Sequence, residues 1–411
     1  MSNELLRQIA EATALREGPE GVAAVVRAVY RLGPLRLRDL AGAVRVPLPV
    51  VGAVRRELEK AGLLERGQGL RLSAEGRTFA ETVLGLGSRL DPTCPACGGA
   101  GLVVAPALGE VAAMLAEHVA RGPKVDTTLD QAPCTPDTAL RRALAMHAAG
   151  AVDGRAIVFL GDDDSVSVAV ALLARHIGAS PRRLTVLEVD PGRLAHLEGA
   201  RRSHGLDIDL VEADLRSPLP EPFREAFDVF ETDPPYTLDG MTLFVSRGIE
   251  ALRRTVGLPG FLSFAELAPG DTLDLQRRLF DMGLAIVDVR RGFNRYEGAA
   301  ILGSSGQFLS LLTTPRTRSG VGEGPFTAAI HTGEVRPRVR LYRCAGCAHT
   351  VAVGQGEAVD RIETLKERGC PRCGGGIFRR LSGRGGAGQS GDPVKSPLPP
   401  LPGGEGWVRG E

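Results

Sequence analysis

Residues 136–315 hold seven short apolar runs, the early ones separated by helical segments. The runs are RAIVFLG, RLTVLEVD, IDLVEAD, AFDVFETD, GFLSFAEL, AIVDVRR and QFLSLLTT. Strand-length runs alternating with helix-length stretches specify an α/β domain, because parallel strands need a crossover between them. A leading helix, TPDTALRRALAMHAAG, precedes them with Thr135 as its expected N-cap. In such sheets the ligand lies beyond the carboxyl ends of the strands. Four successive strand ends here carry acids. Gly161-Asp162-Asp163-Asp164 follows the first, and Glu188 and Asp190 close the second. Asp214 beside Leu215 follows the third. Glu231 and Asp233, with Pro234, Pro235 and Tyr236, follow the fourth.

One acid at a strand end is as often a helix cap as a ligand contact. Four in order point to a shared ligand. The arrangement resembles the Rossmann-like fold of S-adenosylmethionine-dependent transferases. In that fold an acid after the second strand accepts hydrogen bonds from ribose hydroxyls, a place held here by Glu188 and Asp190. Asp214 suits an adenine amino group, with Leu215 beside the ring. Asp233-Pro234-Pro235-Tyr236 is specific in its own right. The prolines halt regular structure, and the tyrosine ring can flank an amine. In N-methyltransferases acting on adenine or guanine amino groups, this motif holds the nitrogen to be alkylated.

The three consecutive aspartates constrain the donor. S-adenosylmethionine carries a carboxylate, which three acids would repel. Its decarboxylated form ends in a propylammonium, which they would attract. The same acids, with Glu231 and Asp233, suit a polycationic polyamine acceptor. A polyamine nitrogen must also lose a proton before it attacks, and a carboxylate within hydrogen-bond reach can take it.

The flanking segments read differently. Residues 20–86 have the pattern of a winged helix, its wing formed by two strands in LERGQGLRLS. The second of its short helices carries Arg55, Arg56 and Lys60, but Glu57 and Glu59 interrupt that charge. The 411-residue chain has a formal net charge of +1. That gives no general pull on nucleic acid, so nucleic acid is not an expected partner. Residues 89–135 read as a connector with Cys94 and Cys97, half of a zinc site. Cys134, His118 or another subunit could complete it. After a linker at 319–343 come the pairs Cys344/Cys347 and Cys370/Cys373, with 22 residues between them. Two such pairs specify a zinc ribbon with a closed structural zinc. Residues 382–411, rich in Gly, Pro and Ser and holding Trp407, are expected to be disordered. The N-terminus lacks the basic and apolar regions of a signal peptide, and no run is long enough for a membrane span. A cytoplasmic chain with no membrane partner is expected.

FLGDDDSVS, LEVD, ADLRSPLP, FDVFETDPPYTLDG and FVSRGIEAL together resemble the branched-chain polyamine synthases, over about residues 20–315. The resemblance implies two successive aminopropyl transfers from decarboxylated S-adenosylmethionine to the central nitrogen of spermidine. It gives N4-aminopropylspermidine, then N4-bis(aminopropyl)spermidine, with 5′-methylthioadenosine released each time. Motif match carries over the carboxylates of Asp162, Asp163, Asp164 and Asp233. Of these, Asp163 and Asp233 are the expected catalytic groups. Asp162 and Asp164, with Glu231 and Tyr236, are expected to bind the polyamine and the donor's tail. Gly161, Glu188, Asp190, Asp214 and Leu215 are expected around the rest of the donor. A homodimer is expected. Two other readings fit some of the same residues: a methyltransferase acting on a nucleic-acid amino group, and a DNA-binding regulator that senses polyamines.

Overall fold

The structure is a computed structural model describing residues 2–381, apart from 66, 68, 89–93, 98, 100, 124, 297–304, 336–339, 355–356 and 360–361. The expected disordered tail, with Trp407, lies outside the described residues. The chain divides into two units, residues 1–336 and 337–411.

Five helices open the first unit: α1 (Ser2–Ala12), α2 (Gly18–Leu32), α3 (Leu37–Val44), α4 (Leu48–Lys60) and α5 (Ala74–Thr82). They enclose a core of their own, in which Leu40, Val51, Val54 and Leu58 are fully buried. Positions 51, 54 and 58 share one face of α4, as helical spacing requires. Ser73 begins α5 by accepting the Gly76 N–H at 2.9 Å. A side chain at Gly76 would collide with the Leu63 carbonyl oxygen, 2.0 Å from its Cβ position. The expected wing strands are reduced to single bridges, Leu64 with Leu72 and Leu70 with Leu35. Leu70 is drawn to the loop after α2, and among the described residues no longer ladder joins the two sides of the hairpin.

The stretch read as a connector is partly core. Its helix α6 (Gly109–Ala120) buries Val111 and Leu115 in the same cluster as the central sheet. Helix α7 (Pro136–Ala148) starts as expected, with Thr135 accepting the Thr138 N–H and Pro136 in the first turn. The sheet follows: β1 (Ala156–Leu160), α8 (Val166–Ile177), β2 (Arg183–Glu188), α9 (Pro191–His204), β3 (Asp209–Glu212) and β4 (Val229–Thr232). Then come α10 (Leu238–Ala251), β5 (Pro259–Ala265), α11 (Pro269–Asp281), β6 (Leu284–Arg295) and β7 (Ser305–Thr313). Strand order is β3-β2-β1-β4-β5-β7-β6. The first five strands pair in parallel, and β7 inserts antiparallel between β5 and β6. Alternation along β1 sends Ile157 and Phe159 into one core, with α6 to α9, and Ala156, Val158 and Leu160 into the other, with α10 and α11. Strand order reverses between β1 and β4, which opens a crevice at their carboxyl ends.

Residues 319–335 lie back on this unit rather than serving as a linker. The Phe326 N–H donates to the Arg216 carbonyl at 2.7 Å. Thr237 Oγ1 donates to the Ile330 carbonyl at 2.6 Å, and Ile330 is 4% exposed. A single helical turn, α12 (Thr332–Val335), ends the segment.

The second unit contains β8 (Arg340–Cys344), β9 (Thr350–Val353), α13 (Ile362–Arg368) and β10 (Phe378–Arg380). Its antiparallel sheet runs β10-β8-β9 over a small core of Tyr342, Val353 and Leu365. Among the described residues, no helix is long and apolar enough to cross a membrane.

Candidate active site

The crevice between β1 and β4 is a cavity lined by Gln131, Gly161, Asp163, Glu188, Asp233 and Tyr236, among others. Its acids converge on one cation that sequence reasoning passed over. Arg142, on α7, has no exposed surface. Its Nη1 lies 2.5 Å from Asp164 Oδ2 and 3.7 Å from Glu231 Oε1, and its Nη2 lies 2.8 Å from Asp233 Oδ2. Its Nε donates to Asn294 Oδ1 at 3.0 Å. Tyr296 OH also donates to Asp233 Oδ2, at 2.8 Å. One oxygen of Asp233 is therefore held twice. The other, Oδ1, is buried without a hydrogen-bond partner, as is Glu231 Oε1.

So many buried carboxylates around one guanidinium cannot ionise freely. Burial is the main cause that pushes Asp162 and Asp233 up to about 7 each. For Asp233, Arg142 opposes the rise and Asp164 adds to it. Asp163 and Glu231 are driven well above the ordinary carboxylate range by burial, with Asp164 and Asp233 contributing. A buried acid titrating near neutrality is suited to accept a proton from an amine.

The three aspartates of the first loop point in three directions. Asp162 turns back on its own helix, accepting the N–H groups of Val166 at 2.7 Å and Ser167 at 3.2 Å, and the Ser167 hydroxyl. It is 2% exposed and caps α8 rather than facing the cavity. Asp163 lines the cavity and accepts the Ala132 N–H at 3.1 Å. Asp164 pairs with Arg142 and accepts the Cys134 N–H. Two positive-φ residues make this fan possible, Gly161 at +69° and Ser165 at +57°.

The second and third strand ends divide. Glu188 lines the cavity and ties two loops together, accepting the N–H groups of Asp162 at 3.0 Å and of Val189 and Asp190 at 2.8 Å. Asp190 caps α9 through the Gly192 N–H at 2.7 Å and accepts Gln131 Nε2 at 2.6 Å. Asp214 and Leu215 do not line this cavity. Asp214 is exposed and accepts the Arg216 N–H, while Leu215 is 6% exposed and packs in the sheet core. Tyr236 lines the cavity, edge-on to Phe264 and Tyr296. His331, from the segment read as a linker, also lines it, and its Nδ1 is buried without a partner.

The second unit brings Cys344, Cys347, Cys370 and Cys373 together, with all four Sγ atoms within 4.8 Å of one another. Two of these separations are 3.5 and 3.6 Å. Tetrahedral zinc with Zn–S bonds of about 2.3 Å requires S···S of about 3.8 Å, so the donors fit zinc. N–H groups of Cys347 and Gly346 bring the Cys344 thiol down to about 7, favouring the thiolate that a metal needs. Cys94 and Cys97 gain no such site among the described residues. His118 instead meets Ser165 Oγ at 3.0 Å and stacks on His196, and Cys134 is buried.

Fold and site together define a Rossmann-like transferase with an acid-lined cavity at the switch point of its sheet. Comparison with known proteins narrows the class. The family model for the branched-chain polyamine synthase A C-terminal domain matches residues 110–342. An N(4)-bis(aminopropyl)spermidine synthase of Thermus thermophilus is 35% identical over 72% of this chain and 84% of its own. An uncharacterised protein of Methanocaldococcus jannaschii is 35% identical over 92% of each chain. The crystal structure of the branched-chain polyamine synthase from Thermus thermophilus, in complex with N4-aminopropylspermidine and 5′-methylthioadenosine, is also similar. It has a TM-score of 0.65 at 28% identity, over 81% of this chain and 99% of that one. This chain belongs to the branched-chain polyamine synthase family.

Proposed function

We propose that the chain transfers aminopropyl groups from decarboxylated S-adenosylmethionine to the N4 nitrogen of spermidine, twice in succession. The observation that carries this reading is the self-capped start of α8. In a Rossmann-like transferase that helix N-terminus is a natural seat for a donor carboxylate. Here the Asp162 carboxylate already occupies it, and Asp163 faces the cavity beyond. A donor without a carboxylate and with an ammonium tail suits such a site.

The proton balance follows. The N4 ammonium of spermidine gives its proton to Asp233 Oδ1, the oxygen without a protein partner. The freed lone pair attacks the donor carbon, the C–S bond breaks, and neutral 5′-methylthioadenosine leaves. Asp233 passes that proton on to solvent, and the product, a tertiary ammonium, then gives its own proton to the freed carboxylate before the second attack. The resulting quaternary nitrogen has neither proton nor lone pair, so transfer stops at two. Asp163 holds the cationic tail, Tyr236 flanks the reacting nitrogen, and Glu188 faces the donor's ribose. In this scheme Asp162 and Asp164 organise the site, through α8 and Arg142 respectively.

Zinc belongs to the ribbon in this reading, where it supplies structure. A homodimer is also proposed. Among the described residues, edge strand β6 pairs only with β7 and leaves Val287 56% exposed, and light scattering tests the assembly. Incubation with each sulfonium donor plus spermidine, followed by mass analysis, tests the reaction. Methylated products from the intact donor would reject it.

A further inference from the structure

The net charge of +1 conceals a division. Residues 337–381 hold nine Lys and Arg against four Asp and Glu, a formal +5. Zinc bound by four thiolates would remove two of those charges. In the first unit many cations are paired with acids, whereas no ion pair involves a described residue of the ribbon.

The placement of these cations is costly without a partner. Arg343 on β8 stands directly opposite Arg379 on β10. Like charges in that position repel, and both side chains are exposed. Leu341 shares the outer face of β8 with Arg343, because Tyr342 and Cys344 between and beyond them are buried. Leu341 is 48% exposed, and Ile377, two residues before Arg379, is 75% exposed. Arg368 at the end of α13 and Arg372 in the second cysteine pair add exposed charge elsewhere on the unit.

We propose that this ribbon binds a nucleic-acid strand, with Arg343 and Arg379 on its phosphates and Leu341 and Ile377 against its bases. Phosphate contacts from unpaired arginines supply affinity without sequence preference. The cations lie on two strands, a helix end and a cysteine knuckle. A flexible chain of phosphates can follow that distribution, whereas a flat acidic protein face meets only one side of it. The Methanocaldococcus jannaschii relative covers too much of this chain to leave the ribbon out.

The test uses the full zinc-loaded chain and a fluorescent single-stranded 20-nucleotide RNA of mixed sequence, titrated between about 50 and 200 mM salt. Binding should weaken steeply with salt. The double substitution Arg343→Gln and Arg379→Gln should reduce affinity at least about tenfold and lower the salt slope by about 1.4, at roughly 0.7 per phosphate contact. Zinc content and aminopropyl transfer should stay unchanged, which separates this result from misfolding and from failure of the proposed reaction. Absence of binding at low salt, or equal affinity of the variant, would overturn the proposal. Salt-sensitive self-association that the same substitutions abolish, without RNA binding, would also overturn it and assign the face to an acidic surface of a second copy.

Discussion

Arg142 holds the acidic site together from a helix that precedes every motif in it. Ionised carboxylates buried without a counter-charge cost several kcal/mol each. This guanidinium, with its fixed fork of donors, reaches Asp164, Glu231 and Asp233 at once. Arg142→Lys keeps the charge but cannot span three acids. It should fold, lose at least about tenfold in kcat, and move the acidic limb of the pH–rate profile upward. The sign follows because Arg142 lowers the Asp233 value, so a weaker contact raises it. Asp233→Asn should cost at least about 100-fold in kcat, the scale of losing a general base. An unmoved limb in the lysine variant would remove Arg142 from the tuning of Asp233. A signal for Arg142 lay in the sequence. It falls three residues after Ala139 and four before Met146, on the apolar face of its helix, where a solvated arginine has no place. Tyr296 offered no comparable signal, since it reaches Asp233 from just beyond the end of β6, where it bridges to Cys134 far away in the chain.

At the scale of elements, the strands and their acidic ends were legible because period and turn chemistry are local. What each acid faces was not, because a one-residue step turns a side chain from cavity to helix. Asp162 and Asp163 show this directly. Removing the cap should expose its consequence. Asp162→Gly frees the Val166 and Ser167 N–H groups, and calorimetry should show intact S-adenosylmethionine binding at least about tenfold tighter than to the parent chain. Unchanged affinity would dissociate the cap from donor choice. Segment 319–335 reads as a linker because it holds four glycines, Gly320, Gly322, Gly324 and Gly333, with Ile330 as its main buried anchor. The same segment sets where the chain can be cut. Ending it at Arg336 should abolish zinc in metal analysis and preserve aminopropyl transfer. Ending it at Thr317 should impair transfer, since His331 and Ile330 go with it.

For the whole molecule, the raised acids link stability to pH. Asp162 and Asp233 titrate near 7 in the folded chain against about 4 when unfolded. Their protonated forms favour the fold. That contribution is complete below about pH 4 and is lost as pH climbs through about 7. The ligand-free Tm should therefore fall between pH 5 and 8, and spermidine should restore it at the upper end. Binding near pH 7 should release protons, measurable as calorimetric heats that vary with buffer ionisation. A flat Tm profile with no proton release would mean that these acids are already charged. The surplus of carboxylates has a further effect on the order of events. Each transfer adds a protonated aminopropyl arm, so the singly alkylated intermediate carries one more positive charge than spermidine. The site retains it more strongly than the molecule it came from. Catalysis is therefore expected to be processive, with the first product staying for its second arm and dissociation of the finished polycation limiting the cycle. In a pulse of labelled spermidine chased with excess unlabelled spermidine, the doubly alkylated label should dominate from the earliest time points, and added salt should speed release while letting more intermediate escape.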